Sequence, residues 1–185
     1  MPAVVLIASI SLDGFAADRH RSVERLHRWF IGPDADESSA SDPFLTRFRA
    51  TGAIVFGRNT FDDGQEPWGE DDVFWAPVFI VTHERRDPVV RNGALFTFVD
   101  GARAALEAAG IVAGEKEVHV MGSADVARQL LGDGLIDEID LHVIPVILGA
   151  GARLFPDDLV DAIELELTDS AESRGVQRLR YRVMR

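Results

Sequence analysis

The chain has 185 residues, no cysteine, 31 acidic residues against 19 Lys and Arg, and a formal net charge of -12. That length suits about one domain with an ordinary hydrophobic core. The missing thiols exclude cysteine nucleophiles, Cys-type zinc sites and disulfide scaffolds, and the acidic balance opposes a nucleic acid partner, whose phosphates need clustered positive charge.

Pro2 to Ile10 has no basic residue ahead of its apolar run and is too short to span a bilayer, so it reads as neither a signal peptide nor an anchor. We expect a cytoplasmic protein with no membrane partner. The absence of cysteine fits a reducing compartment.

In chain order, Val4 to Ile10 reads as a buried strand closed by Asp13-Gly14. A helix over Ser22 to Phe30 follows, then an acidic surface loop from Gly32 to Asp42. A second helix spans Pro43 to Thr51, and a strand Ala53 to Phe56. Strands at Val78 to Thr82 and Leu95 to Val99, a helix at Ala102 to Ala109 and a strand at Glu117 to Met121 come next. The helix over Ala124 to Leu131 has one apolar face, with Ser123 to cap it and Gly132 to close it. Strands at Glu138 to Leu148, Ile163 to Ser170 and Val176 to Met184 complete the chain. Alternating strands and helices imply an α/β fold with a parallel sheet. The last two strands have no helix between them and should form an antiparallel pair.

Several chemistries are absent. Lys116 is the only lysine, which removes a Walker A loop and leaves Schiff-base chemistry no other residue. Gly149-Ala150-Gly151 has Leu154 where a dinucleotide fingerprint needs its third glycine. His83-Glu84-Arg85-Arg86-Asp87 has Asp where a zincin needs its second His. His20, His27, His83, His119 and His142 show no metal-ligand spacing, and we expect no metal site.

Two strand-to-helix junctions carry a signal. Gly57-Arg58-Asn59-Thr60 follows the strand at Ala53, and Gly122-Ser123 follows the one at Val118. Free backbone N–H groups at such turns attract anions, glycine lets a phosphate approach, and Arg58 offers a guanidinium fork. Alone, either reads as an ordinary turn. Together on one parallel sheet, they would place two anion-binding turns along the carboxyl edge, where open α/β sheets take ligands. Ser11-Leu12-Asp13-Gly14 ends the first strand. It reads equally as an Asp-Gly turn and as an acid placed to anchor a substrate or relay a proton.

These features resemble the dihydrofolate reductase-like superfamily, and within it the branch of the riboflavin-biosynthesis reductase (RibD C-terminal domain), including its stand-alone members. The resemblance rests on Ser11 to Gly14, Gly52 to Phe61, Pro77 to Thr82, Val118 to Ala127 and Leu135 to Phe155, and covers nearly the whole chain. It implies a three-layer α/β fold with a mainly parallel eight-stranded sheet, a homodimer, and NADPH as hydride donor to a small heterocyclic substrate. The activity it most resembles is 5-amino-6-(5-phosphoribosylamino)uracil reduction. By motif, Gly57, Arg58, Asn59 and Thr60 would meet cofactor phosphates, with Thr82 and His83 beside the adenosine 2'-phosphate. Gly122, Ser123, Ala124 and Asp125 would hold the pyrophosphate, and Ala8 and Ile10 would present backbone to the nicotinamide. Asp13 would orient the substrate or supply its proton, and Trp68 could wall the pocket.

A chain without cysteine cannot carry the zinc deaminase often fused to this reductase, so either the reductase part alone or a relative that has drifted to another substrate is expected. Folate reductases place an acid near Asp42, which also reads as a helix cap before Pro43. Folate reduction and a non-catalytic nucleotide-binding module therefore stand as alternatives.

Overall fold

Val4 to Ser11 forms β1, whose apolar side chains alternate between two covered faces, as a strand buried on both sides requires. Val5 and Leu6 are fully buried. The computed structural model describes residues 2–29, 43–64, 74–91, 93–122, 124–155 and 162–184, without the side chains of 43–45. Among these, further strands run over Phe15–Asp18 (β2), Ala53–Gly57 (β3), Val78–Val81 (β4), Val89–Arg91 (β5) and Ala94–Val99 (β6), then Val118–Met121 (β7), Glu138–Ile144 (β8), Gly151–Arg153 (β9), Leu165–Ser173 (β10) and Val176–Val183 (β11). The helices are Glu24–His27 (α1), Pro43–Arg49 (α2), Arg58–Gly64 (α3), Ala102–Ala113 (α4) and Ala124–Gly132 (α5).

The large sheet has the order β10-β11-β8-β1-β7-β3-β4-β6-β5. From β8 to β6 all neighbours are parallel, whereas β11 with β8 and β10 with β11 are antiparallel. This is the three-layer α/β architecture with an antiparallel carboxyl-terminal pair that the sequence implied. One face is covered by α4 and α5, whose Ala105, Leu106, Ala109, Val126 and Leu130 pack on Leu6, Val55 and Val120. The small residues of α4 let it lie close: a Cβ on Gly52 would stand 2.7 Å from Ala113 Cα. On the other face Phe61 of α3 joins Phe56, Ile80 and Phe96, Phe48 of α2 meets Val5 and Ile7, and Leu26 of α1 meets Ile144 and Val176.

A ring of charge fastens α2. Arg47 pairs with Glu117 and lies 3.6 Å from Glu138. Arg180 of β11 pairs with Glu138 and lies 3.6 Å from Glu117. His119 Nε2 adds a 3.0 Å contact to Glu117. Burial alone would raise the Glu117 pKa, but His119 and Arg47 outweigh it and hold the carboxyl down at about 2. Deeper still, Arg178 grips Asp140 through two bonds of 3.0 and 2.9 Å.

Four features correct the expectations. The large sheet has nine strands rather than eight, because Val89–Arg91 doubles back on β6 through a turn containing Gly93 at φ 77°. Three mostly exposed residues leave no burial pattern to read. β8 stops at Ile144 and not Leu148, since Pro145 has no N–H for the ladder and the chain turns so that Leu12 N–H donates to Val146 O at 2.8 Å. The turn expected after Gly57 extends into a seven-residue helix, α3, over Arg58–Gly64. Finally, β2 and β9 form a separate two-stranded sheet in which a Cβ on Gly151 would fall 1.9 Å from Ala17 O, so only glycine fits.

Candidate active site at the carboxyl edge of the sheet

Because β1, β7, β3 and β4 are neighbours and parallel, the turns that follow them emerge side by side at one edge. The register pairs Gly57 with Val81, so Arg58 and Thr82 leave the sheet at the same height. Thr60 Oγ1 donates to Gly122 O at 3.3 Å, which brings the two glycine junctions into contact. Gly122 has φ 60°, and a Cβ there would press within 3.2 Å of Thr60 Cγ2. The close approach and the left-handed backbone both call for glycine. Gly122 and the opening of α5 at Ala124 therefore stand beside the first turn of α3, and free backbone N–H groups at helix starts suit anions such as a diphosphate.

Most of the expected site residues line this edge. Ala8 is buried and Ile10 half-buried near the end of β1, and Gly57 is buried at the end of β3. Arg58, Asn59 and Thr60 form the first turn of α3, with Asn59 exposed, and Ala124 and Asp125 open α5. The Asp125 carboxylate is 4.0 Å from Arg128. Asp42, Trp68 and Ser123 lie outside the described residues.

Thr82 and His83 take local partners. Thr82 is buried, and its hydroxyl accepts the Glu84 N–H at 3.1 Å, so it builds the turn that positions Glu84. His83 projects into solvent with Nδ1 2.7 Å from Asp100 Oδ1. Arg58 sits in a group of charges that the sequence did not single out: Asp62, Glu84 and Arg86 surround it, joined by ion pairs of 2.7 to 3.7 Å. The i,i+4 spacing of Arg58 and Asp62 was the available signal. The Arg86 guanidinium is held above its ordinary pKa, first by Glu84 and, against desolvation, by Asp62.

Asp13 is clamped. Its carboxylate accepts the N–H groups of Leu148 at 3.1 Å and Gly149 at 2.8 Å. The Ser11 hydroxyl first, then, against desolvation, the Gly149 and Leu148 amides, lower its pKa to about 2. A proton donor needs a pKa near the working pH. At neutral pH Asp13 is a carboxylate, a form suited to orienting a substrate through its oxygens. Beside the clamp, Leu12 and Ile147 are 67% and 71% exposed and give the edge an apolar rim. Among the described residues no helix is long and apolar enough to cross a membrane.

The family model of the RibD C-terminal domain matches residues 2–176. The uncharacterized protein YwjB of Bacillus subtilis (strain 168) is 24% identical over 185 residues, covering 96% of this chain and 95% of its own. A putative riboflavin biosynthesis protein from Shewanella sp. PV-4 superposes with a TM-score of 0.80 at 23% identity, covering 99% of both chains. Acinetobacter baumannii RibD gives a TM-score of 0.67 at 18% identity, covering all of this chain and 58% of that one. With its reductase-like fold and a family match over nearly its whole length, this chain belongs to the RibD C-terminal domain family.

Proposed function

We propose that the protein is an NADPH-dependent reductase that passes a hydride to a small heterocyclic substrate of the aminopyrimidine class. The observation that carries this reading is the contact between Thr60 and Gly122, which makes one phosphate cradle from two glycine junctions beside Arg58. When bound, NADPH would supply the hydride from its nicotinamide ring.

The chain's own tasks are then positional. Gly57, Gly122 and the first turn of α5 receive the diphosphate, and Arg58 adds the charge that offsets an acidic protein. The backbone of Ala8 and Ile10 supports the nicotinamide, and the apolar rim of Leu12 and Ile147 covers the ring and keeps water away. Asp13 holds the loop at Leu148 and Gly149 against the end of β1, which fixes the shape of the substrate side.

A homodimer is part of the same reading. On β10 and β11, Leu165 and Leu167 are 40% and 53% exposed beside half-buried Tyr181 and Val183, an apolar strip suited to a second copy.

The test is a screen of NADPH oxidation at 340 nm against aminopyrimidines bearing a ribosylamino group, folates and simple quinones. Turnover of the pyrimidines alone is expected. NADPH binding without oxidation by any acceptor would instead assign a nucleotide-binding module, and turnover of folates alone would assign folate reduction.

A further inference from the structure

Four charged side chains close a ring between the ends of β3 and β4. Asp62 accepts from both arginines, through Oδ2 from Arg58 Nη1 at 2.7 Å and through Oδ1 from Arg86 Nη1 at 3.3 Å. Glu84 is shared in the same way, with Oε1 3.7 Å from Arg58 Nε and Oε2 2.7 Å from Arg86 Nη2. A second hold on Arg86 is the ring of Phe98, whose centre lies 5.5 Å from the guanidinium carbon. Thr82 fixes the backbone of Glu84 from below.

The ring stays wet, with side-chain exposures from 32% at Asp62 to 54% at Glu84. Ion pairs this exposed add little to stability. Four long side chains are nevertheless ordered at one point, beside the cradle and at the height where Arg58 leaves the sheet. Two guanidinium forks set around one spot are an arrangement that recognises phosphate oxygens. Without ligand, the two carboxylates keep the forks apart and neutralised.

We propose that Arg86 is a specificity-determining residue of the cofactor site, a second cation for the phosphate on the adenosine ribose, with Asp62 and Glu84 as place-holders that this phosphate displaces. The proposal rests on NADPH being the cofactor. A phosphate monoester carries a charge near roughly -2 at neutral pH, enough to exchange with a carboxylate on each fork. A singly charged anion gains much less by the exchange, so the acids also screen the site against ordinary anions. The opposite use of Glu84 is chemically distinct: a carboxylate accepting the ribose 2'-hydroxyl would favour NADH.

The experiment is titration of the full chain with NADPH, NADH and 2',5'-ADP at low salt, for wild type, Arg86→Gln, Arg86→Lys and Glu84→Gln, with ligand-free melting curves as the check on folding. Wild type should prefer NADPH, and Arg86→Gln should cut that preference about tenfold, the loss falling on NADPH. Arg86→Lys should recover part of it, since the charge returns without the fork. Glu84→Gln should tighten NADPH and 2',5'-ADP about threefold by removing a competitor. A wild type that prefers NADPH while Arg86→Gln keeps the same preference overturns the role of Arg86 and leaves the cofactor standing. If Glu84→Gln weakens NADPH, the place-holder role is wrong. A wild type with no preference, or with NADH bound more tightly, overturns both the cofactor reading and this proposal.

Discussion

The molecule builds the same ring twice, two arginines alternating with two acids. One ring, Arg47, Glu117, Arg180 and Glu138, draws its members from α2, the residue just before β7, β11 and β8, and keeps Arg180 only 11% exposed. The other, Arg58, Asp62, Arg86 and Glu84, comes from α3 and the segment after β4, and Glu84 is 54% exposed. Burial decides what each can do. Charges withdrawn from water must keep their partners or destabilise the fold. Charges left in water can exchange partners at small cost, which is what a ligand site requires.

The contrast is tested most severely beside the inner ring. Asp140→Asn leaves Arg178, 14% exposed, without its bidentate partner, and should destabilise by about 3–5 kcal/mol in urea denaturation. A loss under about 1 kcal/mol would show that the inner charges are as replaceable as the outer ones.

Glu117→Gln should cost less, about 1–2 kcal/mol at pH 7, because the group is partly hydrated. Its folded pKa of about 2 lies below the ordinary 4.5, so the ionised form is favoured by folding. That contribution is present above pH 4.5 and disappears as the pH falls through about 2. Acid denaturation curves of wild type and Glu117→Gln should therefore converge over this window, and a constant separation would point to lost packing.

The smallest expected effect on stability belongs to the outer ring. Glu84→Gln should stay within about 0.5 kcal/mol of wild type without ligand, while shifting cofactor affinity. A larger loss would make this ring structural too.

The sheet was legible because β1, β3 and β4 are mostly apolar, mostly buried runs bounded by Gly, Pro and Asp. β5 was not, since its Val89 and Val90 face water, and β2 with β9 was not, since their pairing joins residues far apart in the chain. At the site, glycine marked both junctions before any contact was visible. The function of Asp13 depended on amides 135 and 136 positions away, which no local pattern reveals. Asp62 is set beside Arg58 by helical spacing alone, whereas Glu84 and Arg86 reach it only through the register of β3 with β4.

The central claim is that the carboxyl edge binds a phosphorylated dinucleotide, and its most direct test is the melting temperature of the wild-type protein with NADPH and with NADH. The account predicts a rise of several degrees with NADPH at about a hundred times its Kd, and a smaller rise with NADH. No shift with either at millimolar concentration would contradict it.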